Sequence, residues 1–259
     1  MKMSKIIVIT SGKGGVGKTT TAINLGAAIN YFGGNVIVID ANLTTPNVGI
    51  HLGAPEVPIS LNHVLSNKAN CHEAIYEHQS GLKIMPSSLS VKELNKIKSS
   101  KLKSLKKDFS DLAEYIILDS AAGLGEEALS AIDLADEIII VTNPEMPAVT
   151  DALKLIKLSE QKKTPIIGVI VTRVRKNASE MQPEAVKDML GVPILGMIPE
   201  DIALQEALKE KDALIHTHPK STPARAYKEI ASNIIGIDYN SNKDKEKLMK
   251  RILKKFGLK

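Results

Sequence analysis

Cysteine is almost missing from this chain. Cys71 is the single example among 259 residues. One thiol excludes a disulfide framework and any self-contained cysteine metal or cluster site. No apolar run approaches 18 residues, so no segment reads as a membrane-spanning helix. Met1-Lys2-Met3-Ser4 leads straight into a strand-like run, which predicts no signal peptide. The histidines do not pair at helical ligand spacing, and His216-x-His218 before Pro219 reads as a solvated turn. Internal repeats and low-complexity linkers are absent before residue 238.

An excess of basic charge is missing outside one end. Of the net +5, residues 243–259 supply eight Lys/Arg against Asp244 and Glu246, leaving 26 basic and 27 acidic residues elsewhere. The pI therefore argues little about nucleic acid. A 43% hydrophobic fraction is globular, and the length suits one α/β domain with a substantial core.

What is present begins with Ser11-Gly12-Lys13-Gly14-Gly15-Val16-Gly17-Lys18-Thr19-Thr20. Gly12 to Thr19 fit the P-loop pattern G-x-x-x-x-G-K-[ST]. The β-branched run Ile6-Ile7-Val8-Ile9 precedes it, and an Ala-rich helical segment, Thr21 to Tyr31, follows and stops at Gly33-Gly34. Strand, glycine loop and helix together aim backbone N–H groups and a helix N-terminus at a phosphate. Lys18 supplies charge to the β/γ oxygens and Thr19 a hydroxyl for Mg²⁺.

Strand-like runs recur at Ile6–Thr10, Val36–Asp40, Leu82–Met85, Tyr115–Asp119, Glu137–Thr142, Ile166–Val171 and Ile194–Ile198. Helical segments lie between them. This alternation predicts a doubly wound, mostly parallel sheet with helices on both faces and ligands at the carboxyl ends of the strands. Two of those ends are acidic. Asp40 is placed to bind Mg²⁺-bound water or orient attacking water, and Asp119 reads as a Walker B carboxylate bonding metal-bound water or the Thr19 hydroxyl. Gly123, four residues on, permits a backbone N–H to swing toward a γ-phosphate. Lys92 to Lys107 carries seven lysines with Leu94, Ile97, Leu102 and Leu105 as an apolar stripe, which reads as a solvated surface helix.

Asp238 to Asn242 is a polar break, so residues 1–238 read as the P-loop ATPase domain and 239–259 as a separate tail. On a helical projection Leu248, Met249, Ile252, Leu253 and Phe256 fall within about 140° of arc, and Lys/Arg fill the opposite side. One face is apolar and the other wholly cationic, the pattern of a helix lying in an anionic membrane interface. Docking of this helix on its own domain is the alternative.

Lys13 is not needed by the general motif, because Lys18 already supplies the charge. The string KGGVGKT resembles the deviant Walker A motif of the MinD/ParA/Mrp family of dimerising ATPases. Three later stretches resemble other parts of the same family. Asp119-Ser120-Ala121-Ala122-Gly123 resembles the switch II string D-S-P-A-G, Ala135-Asp136-Glu137 with Thr142-Asn143-Pro144-Glu145 resembles A-D-E…T-N-P-E, and the tail resembles the membrane-targeting tail of MinD proteins. The match spans residues 5–235. It implies ATP and Mg²⁺ as ligands, Lys13 reaching across a homodimer to the partner's nucleotide, and Thr172, Arg173, Pro199, Glu200 and Asp201 around the base. The chain departs from the family at Asn42, where switch I usually carries a second Asp, at Ala121, and at Thr172-Arg173 in place of Asn-Arg. It also lacks the Cys-x-x-Cys pair of cluster-carrying Mrp relatives.

The resemblance further implies a cytoplasmic ATP hydrolase, slow without a protein activator and reversibly peripheral to the inner face of the cell membrane. Spatial positioning, such as division-site placement, is the process implied. The rivals are a ParA-type DNA-partition ATPase, which the tail-borne charge disfavours, and a non-hydrolysing ATP-gated scaffold, which Asn42 favours.

Overall fold

The computed structural model describes residues 4–94, 99–175 and 177–239. The membrane-face residues Leu248, Met249, Ile252, Leu253 and Phe256 lie outside them. Eight strands form one sheet in the order β3-β4-β2-β5-β1-β6-β7-β8. They are β1 (Lys5–Ser11), β2 (Val36–Ala41), β3 (Tyr76–Glu77), β4 (Lys83–Met85), β5 (Tyr115–Ala122), β6 (Glu137–Thr142), β7 (Ile166–Val174) and β8 (Ile194–Pro199). Every neighbouring pair is parallel except β3 with β4. The seven runs read from the sequence are all strands. β3 was not legible, because two residues carry no alternation to detect.

The strands alternate between two cores. Ile6, Val8, Ile37, Ile39, Ile116 and Leu118 face one side, with the helices Glu126–Leu134, Met146–Lys162 and Pro183–Leu190. Ile7, Ile9, Val38, Ile117, Ile139 and Ile170 face the other, with α1 (Lys18–Tyr31) and the helix Thr222–Ile235. Full burial of such a side chain contributes roughly 1.5–3 kcal/mol, so a sheet covered on both faces needs apolar residues at nearly every position. That requirement explains why β1 and β2 read as unbroken apolar runs.

Local chemistry sets the helix ends. α1 begins at Lys18, three residues before the expected start, because Gly17 in the left-handed region (φ 92°) turns the loop directly into the first helical turn. The helix Thr222–Ile235 starts where the Ser221 hydroxyl accepts the Ala224 N–H at 3.3 Å, and it stops at Gly236, φ 73°. The lysine-rich segment is not one regular helix. Val91–Leu94 is a short helix, Ser99–Leu105 is 3₁₀ and Lys106–Phe109 is a further turn. Leu102 and Leu105 are buried there with Phe109, while Ile97 lies outside the described residues. A 3₁₀ path meets a surface every three residues, which suits Leu102 and Leu105. The His216-x-His218 pair also differs from expectation. Both residues are half-buried, with His216 Nδ1 2.9 Å from Asp212 and His218 Nε2 3.1 Å from Glu206.

Candidate nucleotide site

The loop from Gly12 to Lys18 lies at the carboxyl end of β1, in the centre of the sheet. Gly15 and Gly17 have φ of 78° and 92°, conformations that a side chain resists. Gly12 is a glycine for a different reason. A Cβ there would sit 2.3 Å from the Asp151 carbonyl oxygen, so the helix Met146–Lys162 holds the loop from behind. The buried Thr172 hydroxyl lies 2.6 Å from the Val16 carbonyl and 2.9 Å from Asn143 Oδ1, tying the loop to β7. Lys13 is exposed, with its carbonyl accepting the Ser11 hydroxyl at 2.6 Å. Lys18 is 9% exposed. Burial lowers its pKa, and the Asp119 carboxylate partly opposes that shift.

Asp40 and Asp119 are both fully buried and lie in register on β2 and β5. Their settings differ. Asp40 accepts the N–H groups of Asn42 (3.2 Å), Asn47 (2.8 Å) and Val48 (2.9 Å), so it organises the loop that follows β2. Its pKa stands well above the usual value because of burial and then the Asp119 charge, with the three N–H groups pulling the other way. Among the described residues neither oxygen of Asp119 has a hydrogen-bond partner. Burial pushes its pKa up to about 6, while the Thr19 hydroxyl and the Lys18 ammonium, outside ordinary hydrogen-bond geometry, act to lower it. A buried carboxylate lacking partners, beside a threonine hydroxyl and a lysine, is a donor set that fits a hydrated Mg²⁺.

Two expected groups are already engaged. Asn42 donates from Nδ2 to the Thr45 carbonyl at 2.7 Å, and its Oδ1 accepts the Thr45 N–H and hydroxyl at 3.2 and 3.1 Å. Its amide closes a turn rather than facing a water. Gly123, φ 85°, donates its N–H to the Ser11 carbonyl at 2.8 Å. That bond must break before the N–H can meet a phosphate.

Beside Gly17 and Thr20 a cavity of about 460 Å³ opens. Thr172, Arg173, Glu200 and Asp201 line it, and Pro199 lines the adjoining cleft. Arg173 is left-handed (φ 55°). Arg175 bonds Glu200 through Nε and, at 3.1 Å, through Nη2, which lowers the Glu200 pKa. Asp201 caps the helix Ile202–Glu210 by accepting the Ala203 N–H at 2.9 Å. Sequence reading missed Asn24, His51 and Tyr227 in this lining. Asn24 had a signal, since it lies one turn beyond Thr20 on the same helix face. His51 and Tyr227 come from separate elements and had none.

A central parallel sheet, a P-loop entering α1 and two buried strand-end carboxylates define a P-loop NTPase. A family model described as ParA, NUBPL iron-transfer P-loop NTPase, matches residues 2–235. The chain belongs to this family, and within it the chain is MinD-like. It is 39% identical over 254 residues to an uncharacterised ATP-binding protein of Methanocaldococcus jannaschii, covering 97% of this chain and 96% of that one. The septum site-determining protein MinD of Pyrococcus horikoshii, solved with Mg-ADP, superposes with a TM-score of 0.86 at 34% identity, covering 90% of this chain and 96% of that chain. MinD in the MinC:MinD complex of Aquifex aeolicus gives a TM-score of 0.79 at 29% identity, over 92% and 98% of the two chains. Cys71 is buried in the core, with its pKa raised by desolvation to about 11.

Proposed function

We propose that this P-loop NTPase is an ATP hydrolase of MinD type, which dimerises on binding Mg-ATP and attaches to membrane through its C-terminal tail. The observation that carries the reading is the division of labour between its two loop lysines. Lys18 is buried beside the unpartnered Asp119, while Lys13 on the same loop is exposed. Within one protomer Lys18 suffices for the phosphates. Lys13 is then available to a nucleotide held by a second copy. Leu124 and Met146, 43% and 56% exposed beyond the carboxyl ends of β5 and β6, supply apolar surface on that same side.

In this reading the loop N–H groups and Lys18 bind the triphosphate, and the cavity beside Thr20 takes the nucleoside. Thr19 and Asp119 would hold Mg²⁺, with Asp40 keeping the neighbouring loop in place. Bound there, the ion would neutralise phosphate charge. Asp40 holds the loop after β2 through three N–H bonds, and removing its carboxylate is expected to loosen that loop. Hydrolysis separates the protomers and releases the membrane. One tail binds weakly, because ordering about ten residues at about 1–2 kcal/mol each offsets most of the gain. Two tails on one dimer gain about 10²- to 10⁴-fold in effective concentration. The cellular role is spatial positioning in cell division, supported by the septum site-determining relatives, and the MinC:MinD complex supports a protein partner that responds to the dimer.

Cosedimentation with anionic liposomes tests this reading. Wild-type protein is expected to bind more strongly with ATP than with ADP, and deletion of residues 247–259 is expected to abolish binding while sparing ATP-dependent dimerisation. Equal binding in both nucleotides would leave a constitutive anchor and remove the gate. A second reading, the non-hydrolysing scaffold, is favoured by the engagement of Asn42 with Thr45. A single-turnover ATPase measurement separates the two.

A further inference from the structure

Three of the eight aromatic residues in this chain gather at one surface point. Tyr31 and Phe32, at the end of α1, meet edge to face with ring centroids 5.1 Å apart. Phe32 meets Tyr239 in the same manner at 5.2 Å. The Lys228 ammonium sits 4.1 Å from the centre of the Tyr31 ring. Elsewhere Phe109, Tyr115 and Tyr227 are buried in the core. Tyr31, by contrast, is 56% exposed, and Ile237 in the same terminal segment is 41% exposed.

The position of the cluster matters as much as its composition. α1 starts at the phosphate loop and runs for 14 residues, so Tyr31 lies about 20 Å from the nucleotide end of the fold. Tyr239 is also the residue from which the chain passes into the basic, amphipathic segment 240–259. Whatever surface that segment meets is met from this point. Tyrosine rings such as Tyr31 and Tyr239, apolar with one polar edge, favour the headgroup level of a bilayer. Tyr31 is also held between Phe32 and Lys228, so little side-chain freedom remains to be lost on binding.

We propose that Tyr31, Phe32, Ile237 and Tyr239 form a second membrane contact, on the folded body, which seats in the headgroup region of an anionic bilayer beside the tail. The proposal rests on the reading of the tail as a membrane anchor. The contact fixes the body's orientation, because it lies at the end of α1 remote from the nucleotide. The dimerisation side is thereby held clear of the lipid.

The absence of tryptophan from the chain makes the test direct. Tyr31→Trp and Phe256→Trp, made separately in the full chain, place one indole on the body or on the tail. Each is mixed, with a non-hydrolysable ATP analogue, with phosphatidylcholine vesicles containing roughly one third phosphatidylglycerol, with and without brominated lipid. The expected result is a blue-shifted, bromine-quenched indole at both positions. Tyr31→Ser combined with Ile237→Ser should lower vesicle affinity about fivefold or more, leaving nucleotide affinity unchanged. Quenching at position 256 without quenching at 31 would overturn the body contact and leave the tail reading intact. Quenching at neither position would bring down both. An indole at 31 that is shielded before lipid is added, and becomes exposed when residues 240–259 are removed, would make the tail itself the occupant and overturn the proposal.

Discussion

Asp40 and Asp119 are register partners on β2 and β5, yet Asp40 accepts three backbone N–H groups while Asp119 has no hydrogen-bond partner among the described residues. Two buried carboxylates at neighbouring strand ends thus do different jobs. One is a structural staple for the loop after β2. The other is held in an unfavourable state that a cation would relieve.

That unfavourable state has a pH signature. The Asp119 pKa of about 6 lies above its unfolded value, so the native state binds more protons over the interval between them. Its stabilising contribution is complete below the unfolded value and is lost as pH rises through about 6. In nucleotide-free, metal-free protein, Asp119→Asn is expected to raise stability at pH 8 by up to about 3 kcal/mol relative to wild type. The difference should shrink toward pH 4. Thermal melts at several pH values check this, and a variant less stable than wild type at pH 8 would refute it.

Lys13→Ala is expected to leave nucleotide binding nearly intact and to abolish ATP-dependent dimerisation, because Lys13 is exposed while the buried Lys18 already serves its own site. Lys18→Ala should weaken nucleotide binding itself. Titration of a fluorescent ATP analogue, with light scattering for dimer formation, separates the two losses. A Lys13→Ala protein that still dimerises would rule out the cross-protomer role.

Asn42→Asp tests what this position contributes to hydrolysis. A carboxylate loses the donor that holds the Thr45 carbonyl, which costs about 1 kcal/mol and loosens the turn. The freed group can accept a proton from water. Single-turnover hydrolysis should rise on the order of 10-fold or more. An unchanged rate would mean that other groups orient the water.

Two glycines of the same loop should respond unequally in stability. Gly12→Ala drives a methyl group against the Asp151 backbone and side chain, at 2.3–2.7 Å, and is expected to cost about 1–3 kcal/mol or more. Gly14→Ala meets nothing within 4 Å and should leave the melting temperature almost unchanged. Calorimetry on the two variants suffices, and equal losses would refute the packing role assigned to Gly12.

The residues decided much of this protein by themselves. The string from Gly12 to Thr19, the apolar runs of β1, β2 and β5, and the acidic ends at Asp40 and Asp119 each meet a local need. A tight phosphate turn needs glycine, a strand buried on both faces needs apolar side chains, and a strand end beside a metal needs a carboxylate. Such needs act over a few neighbouring residues, so a short window of sequence displays them. The tertiary structure alone decided that β5 lies between β2 and β1, which sets Asp119 opposite Asp40. It also brought Thr172 to the Val16 carbonyl, closed Gly12 on Asp151, and joined His51 and Tyr227 to the cavity beside Thr20. Likewise it committed Asn42 to Thr45 and the Gly123 N–H to Ser11. These contacts depend on strand order and on packing across the whole core. Several strand orders satisfy the same pattern of apolar and polar residues, and only the summed burial and hydrogen bonding of the complete fold selects one.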